Sequence, residues 1–467
     1  MPHSLPPTVW SIAPPVVAVV LAFLLRDATV ALLLACVAGL YVAGAGISGL
    51  PGLLTRSLAT PDFIWVLLIE VCIGMLIAFF MASGATQHFA ELAQKRVRTG
   101  RQVQTMGWCM SALIFFSDYF SPLLTGQILR PLADRARVSR EKLAYLCDSM
   151  AGPVCILVPL SSWGVFVSGL LVGHGPVNDN ASGMALFMKS IPLNFYAVGT
   201  VLMVLLVARG IVPDFGSMGR AERRAREEGK LLADGARPVM ATELAELRTV
   251  DHIHSPNLWL NFFLPIALTV GIALGSFILT GRTMVLEGFM AAVLVQALSL
   301  RAQGVALREI VTIAMQGVKG IVPAVILVAL AYSISTVTKE LGTAAYIVEA
   351  TRGWLSAAWL PAAVFVLASV ISFATGTSWG TYAILFPVAL PLAYQFSGGD
   401  ITPAVLATIG AVASGGCFGD HCSPLSDTTM LASFGAGSDH MDHVKTQMTY
   451  ALVVGAIAFI LHIFLSL

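Results

Sequence analysis

The chain has 467 residues, of which 57% are hydrophobic and only 11% charged, with a mean hydropathy of +0.82 and a formal net charge of +1. Soluble globular proteins carry about 25% charged residues, so this composition excludes an ordinary soluble domain. No basic cluster interleaved with aromatics appears, and nucleic acid is not an expected partner.

The apolar runs at 9–25, 63–83, 258–279 and 448–467 are nearly free of charge. Each is close to the ~20 residues a helix needs to cross ~30 Å of hydrocarbon. Backbone groups in lipid must be satisfied internally, and such unbroken runs do not fit a barrel, whose strands alternate over short segments. The fold class predicted is therefore an all-α membrane protein, with lipid as its surroundings. The first run has no Lys or Arg before it and no cleavage site leading to a soluble domain, so it reads as a retained span. The seven cysteines (36, 72, 109, 147, 155, 417 and 422) lie in or beside apolar segments and read as small apolar residues rather than a disulfide framework.

Basic residues then set the topology. Lys and Arg concentrate at 95–101, 130–142, 209–248 and at Arg301 with Arg308. If these share a face with Arg26 and Lys445, 21 of the 27 basic residues lie there, five lie opposite, and Lys319 falls within a span. Such an asymmetry marks the cytoplasmic face, and a bacterial inner membrane is the expected location for this multi-pass chain. Segment 108–131 is long enough to cross, yet both its flanks are basic. It must enter and return, with Phe116-Ser117-Asp118-Tyr119-Phe120-Ser121-Pro122 as the polar tip of a re-entrant hairpin. Next comes an over-long span, 145–172, interrupted by Gly152-Pro153 and Pro159-Leu160-Ser161-Ser162.

Residues 209–257 form a charged cytoplasmic linker, with 220–230 read as a surface helix. The same order then returns. A hairpin at 360–391 turns at Thr375-Gly376-Thr377-Ser378, and a broken span at 402–433 carries Gly415-Gly416 and the string from Gly419 to Thr429. The exit loop of this hairpin, 394–401, has no Lys or Arg, so it enters from outside. The organisation predicted is an inverted repeat, 1–208 and 258–467, each half with about five spans plus one hairpin, and with broken helices at the midplane. Short echoes accompany it: Pro131-Leu132-Ala133 with Pro391-Leu392-Ala393, and Pro159-Leu160-Ser161 with Pro424-Leu425-Ser426.

Acidic residues within these segments are Glu70, Asp118, Asp148, Glu287, Asp420 and Asp427. A carboxylate at the bilayer centre costs at least ~2.5–3.5 kcal/mol, so each needs a reason. Asp118, Asp148, Asp420 and Asp427 sit beside irregular backbone, where broken helices aim both positive and negative ends at one place; they are the candidate ion- and proton-binding groups. Glu70 and Glu287 lie outside the breaks and read as scaffold pairs or interface residues, and Lys319 as snorkelling or pairing with a carboxylate. His421 has two readings, a proton carrier or a histidine satisfying a carbonyl. The hydroxyls of Ser117, Ser161, Ser162, Thr377, Ser378, Ser423, Ser426 and Thr428 are candidate ligands, though Ser161, Ser162, Ser426 and Thr428 equally suit bonds back to their own helix. Cys417 to Cys422 resembles a metal site in composition but lacks zinc-site spacing, so no metal beyond Na+ and no cofactor is expected.

At these residues the sequence resembles the NhaC-type Na+/H+ antiporter family of the wider ion-transporter superfamily. The strings that carry the resemblance are FSDYF (116–120), VSREKLAYLCD (138–148), PLSSWG (159–164), GTSWGT (376–381) and GDHCSPLSDTT (419–429). The resemblance implies a scaffold domain, a mobile transport domain built from hairpins and broken helices and working by an elevator-like movement, and a homodimer. It makes Asp118, Asp148, Asp420, Asp427 and the neighbouring hydroxyls the ion and proton site. One departure stands out. Family members often read DDYFN where this chain has Ser117-Asp118-Tyr119-Phe120-Ser121, and relatives also move organic acids and amino acids.

Three functions follow. Na+/H+ antiport leads. Ion-coupled transport of a small organic acid or amino acid is second, disfavoured by the lack of Arg in any hairpin or broken-helix centre. A membrane enzyme built on Asp420-His421 is third, and no nucleophile elbow or second ligand cluster accompanies it.

Overall fold

The computed structural model describes residues 8–25, 27–94, 97–115, 118–159, 161–238, 257–280, 284–351 and 359–466. Among them the chain is helical throughout, with one isolated antiparallel bridge between Pro238 and Asp439. Four helices are each long and apolar enough to cross a bilayer: Phe63–Ala82, Trp259–Thr280, Val285–Ala302 and His440–Leu465. Two bent pairs, Thr29–Val42 with Ile47–Leu58 and Asn180–Leu193 with Phe195–Ala208, raise this to six among the described residues. The sequence suggests about ten spans. Beyond these, Leu307–Glu340 is a continuous helix of 34 residues, and Leu360–Thr375 is a shorter apolar helix.

The order of elements recurs along the chain. Ala13–Leu25, Ala28–Val42 and Pro61–Ala82 lead through the short helix Ala85–Gln94 to a hairpin, a broken helix and Phe195–Ala208. After the linker, Leu264–Thr280, Val285–Ala302 and Leu307–Glu340 lead through the short helix Thr343–Thr351 to a second hairpin, a second broken helix and His440–Ser466. Even the joints match. The third helix of each set ends before a glycine in the left-handed region, Gly84 (φ 71°) and Gly342 (φ 68°), which turns the chain into the short helix.

Two packed bodies result. One core gathers side chains from helices before residue 86 and between 262 and 341, including Phe79, Ile77, Phe289 and Val337. Its central crossing is tight: a Cβ on Gly317 would stand 2.3 Å from the carbonyl oxygen of Gly74, and one on Gly74 would stand 2.7 Å from that of Gly317. The other body holds the hairpins and broken helices, around Trp163, Tyr382, Phe386 and Val412 on one side and Leu129, Leu146 and Met150 on the other. Leu123, Leu431 and Phe434 of this second body join the first core and form the seam.

The linker is less solvated than its charge suggests. Its helix Gly216–Arg223 and the π turn Arg224–Glu228 fold back on the start of Arg140–Leu157. Arg224 pairs with Glu141 at 2.7 Å, the Ser139 amide donates to Glu222 at 2.8 Å, and the buried Lys142 pairs with Asp214. Residues 239–256 lie outside the described residues. Of the other charges, Lys319 is exposed on Leu307–Glu340, and Glu287 is exposed in the first turn of Val285–Ala302.

Candidate functional site

The second broken helix sets the site. Pro403–Cys422 stops where Pro424 removes a backbone donor, and Ser426 opens the next segment, Asp427–Ala436, by accepting a bond from the Thr429 amide at 3.2 Å. Carbonyls of one half and amides of the other thus face the same place. The first broken helix repeats the device: Arg140–Leu157 ends before Pro159, and Ser161 caps Ser162–Leu171 by accepting from the Gly164 amide at 3.0 Å. Both halves extend beyond the predicted limits of 145–172 and 402–433.

The hairpins also run longer than 108–131 and 360–391. Their arms are Gly100–Leu113 with Phe120–Arg135, and Leu360–Thr375 with Ser378–Phe396. The second hairpin is fastened to the second broken helix. Ser372 and Ser378 both donate to the Gly416 carbonyl, at 2.7 and 3.1 Å, and Ser423 donates to that of Phe373 at 2.7 Å. Its tip residue Gly376 has φ 69°, and a Cβ there would stand 2.5 Å from the Leu425 carbonyl oxygen, so only glycine fits. The first hairpin meets the far half of the same broken helix, where a Cβ on Gly126 would stand 2.5 Å from the carbonyl carbon of Gly435. The two tips meet as well: Trp379 Nε1 donates to Asp118 Oδ2 at 3.3 Å.

Three carboxylates are strung across the second break by hydroxyls. Asp427 accepts from the Tyr119 hydroxyl at 2.7 Å and from the Thr428 amide at 2.8 Å. Thr428 Oγ1 donates to Asp420 Oδ2 at 2.8 Å, and Thr429 Oγ1 donates to Asp148 Oδ2 at 2.9 Å. Gln447 Nε2 also donates to Asp148 Oδ2, at 2.5 Å. Asp118, Asp148, Asp420 and Asp427 are all buried, the most open being Asp427 at 9%. Asp420 Oδ1 and Asp148 Oδ1 are buried without a hydrogen-bond partner. Buried acceptors left this way are costly, by about 1–3 kcal/mol and more for charged groups. Among the described residues no three His, Cys, Asp or Glu side chains converge to chelate a metal. The carboxylates alternate with hydroxyls instead.

The family model described as "Na+/H+ antiporter family" matches residues 154–467 of this chain. The chain belongs to the Na+/H+ antiporter family. An uncharacterized protein of Haemophilus influenzae is 31% identical over 96% of this chain and 89% of its own length. The arginine/ornithine antiporter ArcD of Halobacterium salinarum is 43% identical over a shorter stretch, 23% of this chain and 22% of that protein. The Na(+)/H(+) antiporter NhaC of Alkalihalophilus pseudofirmus is 34% identical over 20% of this chain and 19% of its own length. Family membership makes the chain a secondary transporter, not an enzyme.

Within this antiporter-family chain, several expected site residues have other engagements. The His421 ring is 2.9 Å from the Tyr196 hydroxyl through Nδ1 and does not extend the carboxylate string. Ser161 donates to the Cys155 carbonyl at 2.5 Å besides capping its helix, and Thr377 caps at the Gly380 amide, 3.4 Å away. Ser378 and Ser423 serve as the fasteners described above. Ser426 keeps one link to the string, 3.0 Å from Thr428 Oγ1. Ser162 begins its helix, and Ser117 lies outside the described residues. Tyr119, Thr429, Trp379 and Gln447 are contacts that sequence reasoning missed. A signal for two of them was present: aligning Pro131-Leu132-Ala133 with Pro391-Leu392-Ala393 sets Tyr119 opposite Trp379, each an aromatic donor at a hairpin tip.

Proposed function

We propose that this antiporter-family chain exchanges Na+ for H+ at the carboxylate–hydroxyl string Asp427, Thr428, Asp420, Thr429 and Asp148, with Asp118 closing the site from the first hairpin. The observation that carries the reading is the pair of partnerless oxygens, Asp420 Oδ1 and Asp148 Oδ1, on carboxylates whose other oxygens are already held. Carboxylate, hydroxyl and carbonyl oxygens suit a hard monovalent cation, and a desolvated carboxylate is equally satisfied by a proton. One set of groups thus serves either ion, and their competition is the coupling. The recurring order of elements, the matched glycine joints and the apolar seam support an inverted repeat in which the hairpin body moves against the scaffold in an elevator-like step. A homodimer in the bacterial inner membrane belongs to the same proposal.

The arginine/ornithine antiporter with its 43% identical stretch favours one alternative, ion-coupled exchange of a small amino acid or organic acid. Ser117 and Ser121 at the first hairpin tip point the same way. Reconstituted vesicles with an internal pH dye, given Na+, Li+ or K+ and then organic acids and amino acids, separate the two. Asp420→Asn and Asp427→Asn are each expected to abolish coupled exchange in folded protein, because an amide keeps the volume but neither releases a proton nor neutralises a cation. Full exchange by both variants would remove the assignment.

A further inference from the structure

We infer that Glu70 is a scaffold-borne station for the transported cation, set between Asp427 and a cavity that runs along the first hairpin. The inference rests on the cation reading above and adds a residue from the other body. Glu70 lies mid-way along Pro61–Ala82, away from any break, at 4% exposure. Its Oε1 is buried and has no hydrogen-bond partner. A scaffold carboxylate held only for structure needs a cation or donors around it, because its place within a span already costs ~2.5–3.5 kcal/mol. Glu70 faces small voids instead.

Two narrow gaps, neither roomier than a single water, border Glu70. One is lined by Glu70, Trp65, Tyr119, Leu123 and Leu431. Tyr119 is the residue whose hydroxyl holds Asp427, so a single tyrosine ring stands between the two carboxylates. The second is lined by Glu70, Ile73, Leu123, Ile321 and Phe434. Ile73 and Leu123 also line a cavity of about 240 Å³ that continues past Leu76 and Phe80 to Gln127 and Arg130. A single water needs only about 10–15 Å³ of such space, so the cavity admits several. Gln127 Nε2 is a buried donor without a partner in that mostly apolar wall. Leu123 borders all three spaces and is the partition between the cavity and Glu70. The cavity reaches Arg130, the first of the basic residues of 130–142, and so lies toward the face carrying them. A cation leaving Asp427 toward that face meets Glu70 first and reaches the cavity only when Leu123 swings aside.

The test uses vesicles of the full-length chain with Na+ presented on one face at a time. Glu70→Gln is expected to raise the Na+ KM on the face bearing the basic loops about tenfold, ~1.4 kcal/mol of lost attraction, while the opposite face stays within about twofold. Glu70→Asp should recover most of the loss. Wild-type protein with no Na+-dependent flux from either face would remove the cation reading itself. Active wild type with Glu70→Gln unchanged, or changed equally from both faces, would overturn the Glu70 station alone. If Glu70→Gln does not fold, Gln127→Cys decides, with the exposed native Cys109 replaced. A membrane-impermeant thiol reagent should react from the basic face only, more slowly in Na+, and stop the flux. No reaction from that face, or reaction that leaves flux intact, would overturn the route.

Discussion

Replacing Gln447 with methionine removes the polar clasp around Asp148 while keeping the length of the side chain. Gln447 Nε2 donates to Asp148 Oδ2 at 2.5 Å and to the His421 carbonyl at 3.0 Å. Its Oε1 faces His443 Nε2 at 3.1 Å and accepts from Ser149 Oγ at 3.3 Å. One residue thus ties together Arg140–Leu157, Pro403–Cys422 and His440–Ser466. A hydrogen bond to an ionised acceptor contributes about 1.5–3 kcal/mol, and a buried carbonyl left without a donor costs about 1–3 kcal/mol. After some offset from the added apolar contact, the loss comes to about 3–5 kcal/mol. A loss of this size should lower the melting temperature by several degrees. Thermal unfolding of purified protein in detergent reads this directly, and vesicle flux should fall with it because Asp148 keeps only Thr429 as a donor. A melting temperature within 1 °C of wild type together with normal flux would refute the reasoning, since it would mean that the clasp is not made.

Tyr119→Phe removes one charge-assisted bond to Asp427 and should lower flux at sub-saturating Na+ about tenfold; unchanged flux would detach Tyr119 from the site. Gly126→Ala forces a Cβ into the Gly435 backbone and should destabilise by about 1–3 kcal/mol in the same melt, whereas Gly271→Ala, with nothing within 4 Å, should not. If Na+ and H+ compete, half-saturating Na+ should shift about tenfold per pH unit for each proton released, levelling off at high pH. A flat Na+ dependence between pH 6 and 9, with uptake only when an amino acid or organic acid is supplied, would favour the alternative substrate.

The membrane class and the breaks were legible because each rests on a local physical signal. Long charge-free runs read as membrane helices, and helices do stop at Pro159 and Pro424; the expected interruption at Gly152-Pro153 does not occur, because Arg140–Leu157 runs through it, and Gly415-Gly416 lies within the continuous helix Pro403–Cys422. Asp118, Asp420 and Asp427 were legible as costly charges beside irregular backbone, whereas Asp148 stands mid-way along the continuous helix Arg140–Leu157. What the sequence did not convey is which donor reaches which acceptor. Tyr119 and Asp427 are 308 positions apart, and Gln447 and Asp148 are 299 apart. Those pairings are set by how the helices cross, which no window of sequence records. His421 follows Asp420 directly, but successive residues on a helix point about 100° apart, and its ring reaches Tyr196.

The distribution of close backbone contacts bears on the elevator proposal. A surface that slides cannot be interlocked, whereas a body that moves as a unit must be. Glycines whose added Cβ would fall within 3 Å of another helix's backbone have that neighbour inside their own body, among the described residues. Gly74 and Gly317 lock the scaffold. Gly126 with Gly435, Gly376 with Leu425, Gly415 with Phe365 and Gly419 with Ser369 lock the hairpins to the second broken helix. The seam between the bodies is made instead by the side chains of Ile73, Ile128, Leu123, Leu431 and Phe434. Aliphatic and aromatic groups meeting there lose little when they exchange one apolar neighbour for another, because dispersion is non-directional. Glu70 is a buried carboxyl group on this seam. A Gly126→Leu variant should therefore break the moving body apart, while Leu431→Ile on the seam should leave both bodies folded and alter only the rate of exchange.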